Sequence, residues 1–168
     1  MPDIGGSHGY FSVAICRRHP GLQATVLDLP SAIEHAAPLL DAEGMSDRVQ
    51  LVAGDALADD LDAKAYDVVF LMSLVHHFDE ARQPSAGRKV ARPLRRGGVM
   101  VIGEAPRPKV GGRQLGEFFD LYFGMTSESG TRTFDGMASW QREAGLVPRK
   151  PMPLRFASEL GLQVGDKR

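Results

Sequence analysis

Only one cysteine, Cys16, occurs in 168 residues. That excludes an internal disulfide and a thiolate-rich zinc site, and it fits a reducing compartment. An excess of either charge is also missing. Twenty Lys and Arg oppose 21 Asp and Glu, a formal charge of -1, which leaves no electrostatic footprint for DNA or RNA. Long apolar runs are lacking too. Stretches such as Val68 to Met72 are of strand length, and no basic region followed by an apolar stretch opens the chain. The sequence therefore predicts neither a membrane span nor a signal peptide. What remains, 43% apolar and 24% charged residues without internal repeats, predicts one cytoplasmic globular domain over 1–168 that acts on small molecules.

Short β-rich runs alternate with helical patterns, the signature of βαβ units around a mostly parallel sheet. Ala24–Asp28, Arg48–Ala53, Asp67–Met72 and Val99–Gly103 are apolar on consecutive positions, as strands covered on both faces should be. Phe11, Ala14 and Ile15 share one helical face, and Ile33, Ala36, Ala37 and Leu40 share another. Pro30 suits a first helical turn, and Pro38 predicts a kink or an early stop. Residues 80–94 read as a further crossover helix weakened by Pro84, Gly87 and Pro93. Helices are also predicted over 114–125 and over 134–144 with Gly145 as C-cap. Leu154–Phe156 and Leu160–Val164 are placed to form a terminal antiparallel hairpin.

Three features at the carboxyl ends of successive strands belong together, because ligands of doubly wound sheets lie in the crevice there. Gly5, Gly6 and Gly9 form a turn after Asp3 whose missing side chains let a ligand approach the backbone. Asp28 closes the second strand, where a carboxylate can accept both hydroxyl hydrogens of a ribose. Gly54-Asp55 follows the third strand, where Asp55 could accept from an adenine amino group. Each has a plainer role as a simple turn, a helix N-cap and a solvated turn aspartate. Jointly they indicate an adenosine-bearing cofactor, either S-adenosylmethionine (SAM) or a nicotinamide dinucleotide.

Six segments carry a resemblance to a known family. They are Asp3-Ile4-Gly5-Gly6-Ser7-His8-Gly9, Val26-Leu27-Asp28-Leu29-Pro30, Arg48-Val49 through Gly54-Asp55, Leu74-Val75-His76-His77-Phe78-Asp79-Glu80, Leu94-Arg95-Arg96-Gly97-Gly98 and Gly130-Thr131-Arg132-Thr133. In this order they resemble the motifs of SAM-dependent O-methyltransferases, the plant phenolic and bacterial secondary-metabolite enzymes. The resemblance implies an α/β, Rossmann-like class I methyltransferase fold with a mostly parallel seven-stranded sheet and a terminal antiparallel hairpin. By the resemblance Gly5 and Gly9 approach the methionine part of SAM, Asp28 binds its ribose and Asp55 its adenine. Asp3, Gly6, Leu29, Ala56 and Ser73 complete the implied cofactor set. Nicotinamide enzymes more typically show G-x-G-x-x-G, which these glycines do not spell.

Methyl transfer from a sulfonium is an in-line displacement, so the protein must align donor and acceptor and help remove the acceptor's proton. A phenolic hydroxyl, with a pKa near about 10, is helped by a neutral histidine. The resemblance places that base on His76, with His77 where the family has Asp and Phe78 where it has Trp; His77 remains the alternative. Glu104 matches the acidic partner that would orient the imidazole. A second acid precedes Arg-Thr in plant members, but Thr131 stands there in this chain, with Glu128 nearby in sequence. Leu115, Phe118, Phe119, Tyr122 and Phe123, with Met72, Met125 and Trp140, form either core or a flat acceptor pocket. Arg88, Lys89, Arg92, Arg95 and Arg96 read as a solvated helix face. No metal-ligand set surrounds Asp59-Asp60, so metal-free chemistry is expected.

The family's homodimers use an N-terminal helical domain that also closes part of the substrate pocket, and it is absent from this sequence. Only Met1 and Pro2 precede Asp3, so the first strand should be short. The expected function is methyl transfer to a hydroxyl of a small aromatic acceptor. Two rivals are a truncated or decaying paralogue that binds SAM without turnover and a small NAD-dependent dehydrogenase.

Overall fold

The computed structural model describes residues 1–59, 66–78, 83–108, 114–127, 130–154 and 160–168. Asp60, Asp79, Glu80, Glu128 and Phe156 lie outside them. Five parallel strands form most of the sheet: β1 (Pro2–Ile4), β2 (Ala24–Asp28), β3 (Val49–Ala53), β4 (Tyr66–Met72) and β5 (Leu94–Glu104). Three short antiparallel strands complete it: β6 (Val147–Pro148), β7 (Met152–Pro153) and β8 (Gly161–Asp166). The order is β3-β2-β1-β4-β5-β8-β6, with β7 pairing β8 off that path. The mostly parallel sheet with antiparallel strands near the end is the expected one, with seven strands on the main path and an eighth beside it. The terminal pairing differs in detail. Pro148, Pro151 and Pro153 supply no ladder N–H, and among the described residues between Glu143 and β8 the pairing is confined to two dipeptides.

β1 is three residues long and central. It pairs with β2 at three positions and with β4 only through Asp3 and Ile4. The strand order reverses between β1 and β4, which opens the ligand crevice at their carboxyl ends. Two apolar clusters cover the faces of the sheet. Ile4, Val69, Leu71, Met100 and Ile102 pack with Val90, Met137 and Trp140, while Val26 and Val49 pack with Val13, Cys16 and Leu40.

Helix α1 (Tyr10–Arg18) turns a different face inward from the one its apolar residues suggest. Ser12, Val13 and Cys16 are buried, whereas Phe11 and Ala14 are exposed. The cause is Ser12, whose hydroxyl serves the buried carboxylate of Asp3 and so counts as an inward position. Pro38 splits the next crossover as expected, into α2 (Pro30–Ile33) and α3 (Ala37–Ala42), with a proline in the first turn of each. Arg48 donates from Nη2 to the carbonyls of Cys16, His19 and Leu22, each at 2.7 Å, fixing the end of α1 against the start of β3.

Helix α4 (Gln83–Ala91) forms despite its three breakers. Pro84 falls in its first turn, Pro93 lies beyond its end, and Gly87 permits contact with α6 (Phe134–Glu143). A Cβ at Gly87 would stand 3.1 Å from the Trp140 ring. Thr133 caps α6 by accepting from the Gly136 N–H, and Gly145 follows its end with φ 80°. Helix α5 spans Gln114–Thr126. No helix among the described residues is long and apolar enough to cross a membrane.

Candidate functional site

A cavity of about 450 Å³ opens at the carboxyl ends of β1 to β4, within the size range of small-molecule sites. Gly5, Asp28, Leu29, Asp55, Ala56 and Ser73, six of the nine residues expected at the cofactor, line it. Gly5 is held at φ 70° by its N–H bond to the Leu27 carbonyl, and a Cβ there would stand 2.6 Å from Leu74 Cδ1. Both the left-handed backbone and the lack of space require glycine. Asp28 accepts from the Ser7 N–H at 2.8 Å and the Leu29 N–H at 2.7 Å, one on each carboxylate oxygen. It does not take the plainer role of helix N-cap, because the N-cap of α2 is Leu29 and no side chain caps that helix; Asp28 instead ties the glycine turn to the end of β2. Each oxygen keeps a lone pair for a further donor. Asp55 is turned partly into its own loop, where Oδ1 accepts from Leu57 N–H at 2.7 Å. Ser73 directly follows β4 with φ 51°, a conformation that residues other than glycine adopt at a cost.

Asp3, Gly6 and Gly9 lie behind this wall. Asp3 is fully buried; Oδ2 accepts from Ser12 Oγ at 2.7 Å, and Oδ1 has no hydrogen-bond partner. Burial pushes its carboxyl up to about 6, opposed by the Ser12 bond and reinforced by the charge of Asp28. Gly6 lies over that carboxylate, so a Cβ would meet Asp3 Cγ at 2.7 Å. Gly9 is the residue before α1, packed against Leu40 and Val26.

The histidine pair divides. His77 is exposed and lines the cavity, while His76 is 2% exposed and lies off it. Both stand in a single 3-10 turn, Val75–His77, whose tight winding sends successive side chains to different sides. Glu104, at the end of β5, receives the turn. Oε1 accepts from Val75 N–H at 2.8 Å, and Oε2 stands 3.0 Å from His76 Nδ1. A carboxylate only accepts, so Nδ1 carries the hydrogen, and in the neutral form of the ring the lone pair is on Nε2. The Phe123 ring, from α5, lies against His76 with centroids 3.9 Å apart and planes tilted by 35°.

The aromatic stripe is neither the expected core nor a closed pocket. Leu115, Phe118, Tyr122 and Met125 are exposed, Met125 by 78%, and only Phe119 and Phe123 are half-covered. Trp140 is core, packed beside Phe78 and α4. Leu27, Leu57, Leu74 and Phe78 line the cavity without having been expected there. They are apolar neighbours of the expected residues, and only their proximity to the strand ends could have marked them. Among the described basic residues, Lys89 is half-buried and donates to the Leu57 carbonyl, and Arg95 pairs with Asp67. No group of three or more His, Cys, Asp or Glu among the described residues is arranged to hold a metal ion.

Fold and crevice together define a doubly wound α/β protein with a cavity at the strand ends, where such sheets hold their ligands. Residues 1–146 match the O-methyltransferase domain, and the chain belongs to that family. It is 31% identical over 160 residues to the 3-hydroxy-5-methyl-1-naphthoate 3-O-methyltransferase of Streptomyces sahachiroi, covering 93% of this chain and 45% of the relative. It is 32% identical over 162 residues to the 2,7-dihydroxy-5-methyl-1-naphthoate 7-O-methyltransferase of Streptomyces carzinostaticus, covering 93% and 46%. The solved structure of PigF with SAH matches with a TM-score of 0.87 at 25% identity, covering 99% of this chain and 50% of PigF. The chain spans about half the length of the curated relatives it matches.

Proposed function

We propose that this chain is the SAM-binding and catalytic part of an O-methyltransferase whose acceptor is a phenolic hydroxyl on a small fused-ring aromatic acid. The observation that carries the reading is the cavity lined jointly by Gly5, Asp28 and Asp55. The naphthoate acceptors in the names of its relatives support the acceptor class. The residues fit SAM. Gly5 brings bare backbone to the cavity wall, Asp28 offers an acceptor on each oxygen for the ribose hydroxyls, and Leu29, Leu57 and Phe78 supply apolar wall for an adenine. Asp3, with an oxygen lacking a partner behind the glycine turn, supplies negative charge near the amino-acid end. When bound, SAM supplies an electrophilic methyl on a sulfonium, which leaves as a neutral thioether as the acceptor oxygen bonds the methyl carbon.

The protein's contribution is alignment and proton removal. Glu104 holds His76 with Nδ1–H toward its carboxylate, which leaves Nε2 to accept the hydroxyl proton and lets the carboxylate stabilise the resulting imidazolium. His76 is buried under Phe123, so the acceptor reaches it only when that ring moves aside. His77 lines the cavity wall, so in this reading it would face the cofactor rather than the acceptor's proton. Calorimetric titration with S-adenosylhomocysteine tests the reading. Saturable binding that weakens at least tenfold in Asp28→Ala is expected, since a carboxylate accepting two hydroxyls contributes about 1.5–3 kcal/mol per bond. No heat and no thermal stabilisation by the ligand would remove the reading.

A further inference from the structure

The turn that carries His76 is gripped from two sides. Glu104 takes its first N–H, and the grip on its carbonyls comes from the segment before α6. Arg132 donates from Nε to the Val75 carbonyl at 3.2 Å and from Nη2 to the Phe78 carbonyl at 2.6 Å. These two carbonyls bracket His76 and His77, so one planar guanidinium spans the whole 3-10 turn. Such a fork fixes two acceptors in a defined relation, which a point cation on a flexible stem does not.

Arg132 is itself fixed at its backbone. Its carbonyl accepts from Arg107 N–H at 2.8 Å, and it forms an isolated parallel bridge with Pro106, just beyond Glu104 on the same strand exit. Next to it, the buried Thr131 donates through Oγ1 to Asp120 on α5. Asp120 stands three residues before Phe123, the ring over His76. Thr131 and Arg132 therefore join the three elements that meet at the imidazole: the turn, the end of β5 and α5.

We propose that Arg132 is a positioning residue for His76. By holding the Val75 and Phe78 carbonyls, it fixes the turn so that Nδ1 stays on Glu104 and Nε2 keeps one direction. The proposal rests on the reading of His76 as proton acceptor. Catalytic geometry tolerates little slack, and a displacement of about 1 Å can cost a factor of a hundred.

The test compares the wild-type chain with Arg132→Ala and Arg132→Lys in three measurements. The first is S-adenosylhomocysteine affinity by calorimetry. The second is kcat and KM on hydroxynaphthoates. The third is the slowly exchanging Nδ1–H proton of His76 in NMR, assigned by its loss in His76→Gln. Arg132→Ala should lose or broaden that resonance and lower kcat at least tenfold, with KM and cofactor affinity changed less than about twofold. Arg132→Lys should recover part of both effects, because an ammonium still donates to these carbonyls but lacks the rigid fork that fixes them relative to each other. If Arg132→Ala keeps the resonance and the wild-type kcat, the proposal is overturned. It is also overturned if cofactor affinity falls as far as kcat in both variants, which would make Arg132 a residue of the fold. If Arg132→Ala does not fold, Arg132→Lys is judged by the same resonance and ratio. Should the wild-type chain methylate no phenol, the proposed function fails on its own, and the resonance still decides what Arg132 does.

Discussion

The two ends of the crevice are built differently. At the β1–β2–β3 end, loops close on themselves through short bonds to Asp28, Asp3 and Asp55, and apolar residues complete a cavity wall. At the α5 end, the buried His76–Glu104 pair lies under a helix whose Leu115, Phe118, Tyr122 and Met125 face solvent. The contrast teaches that the cavity end is encoded locally in strand-end turns, whereas the other end depends on how one helix sits over one imidazole. Under the proposed function, turnover can therefore be lost at the second end while the first still binds cofactor.

The largest expected effect separates the two ends. His76→Ala should lower kcat by about 10²–10⁴, the usual contribution of a positioned general base, while cofactor affinity stays within about twofold. His77→Ala should do the reverse, weakening S-adenosylhomocysteine binding with a smaller loss of kcat. Single-turnover rates and calorimetry on the two variants distinguish the cases. A loss of cofactor binding in His76→Ala would mean that the two ends are not independent.

A second expectation concerns Asp3, at the cofactor end. Its carboxyl is raised from its ordinary 3.8 to about 6, chiefly by burial. A group whose folded value is raised gives stability that is fully present below about pH 4 and is lost as the pH rises through about 6. The loss is on the order of 3 kcal/mol. Asp3→Asn, which can still accept from Ser12, should therefore match the wild type in urea midpoint near pH 4 and exceed it at pH 7.5. It should also bind cofactor more weakly, since the negative charge is gone. An equal gain at both pH values would show that the buried charge is not the cause.

The parallel strands were legible because a doubly wound sheet writes consecutive apolar residues followed by turn residues, as in Ala24–Asp28 and Val49–Ala53. The split at Pro38 and the cap at Gly145 were legible for similar local reasons. The inward face of α1 was not. Its phase is set by a polar residue, Ser12, whose partner on β1 is nine residues away and appears only in three dimensions. The site behaved alike. Asp28, Asp55 and Gly5 follow strands and could be placed, whereas the division of the His pair depends on a single 3-10 turn and on Arg132, 54 residues from Phe78. The α5 stripe misled because helical spacing records that residues share a face, not what covers it.

That stripe gives the smallest expected effect and the sharpest check on the contrast. Phe118 and Tyr122 stack on each other, their rings 6.2 Å apart, yet both side chains remain exposed. Replacing both by Ser removes apolar area that water already reaches, so stability should change by no more than about 0.5 kcal/mol. Cofactor affinity should not change at all. Binding of an apolar dye such as anilinonaphthalene sulfonate should fall, because a contiguous exposed apolar face is what such dyes report. A fall of several degrees in melting temperature would mean that the stripe is covered in solution. The α5 end would then be as closed as the cofactor end, and the contrast between them would not stand.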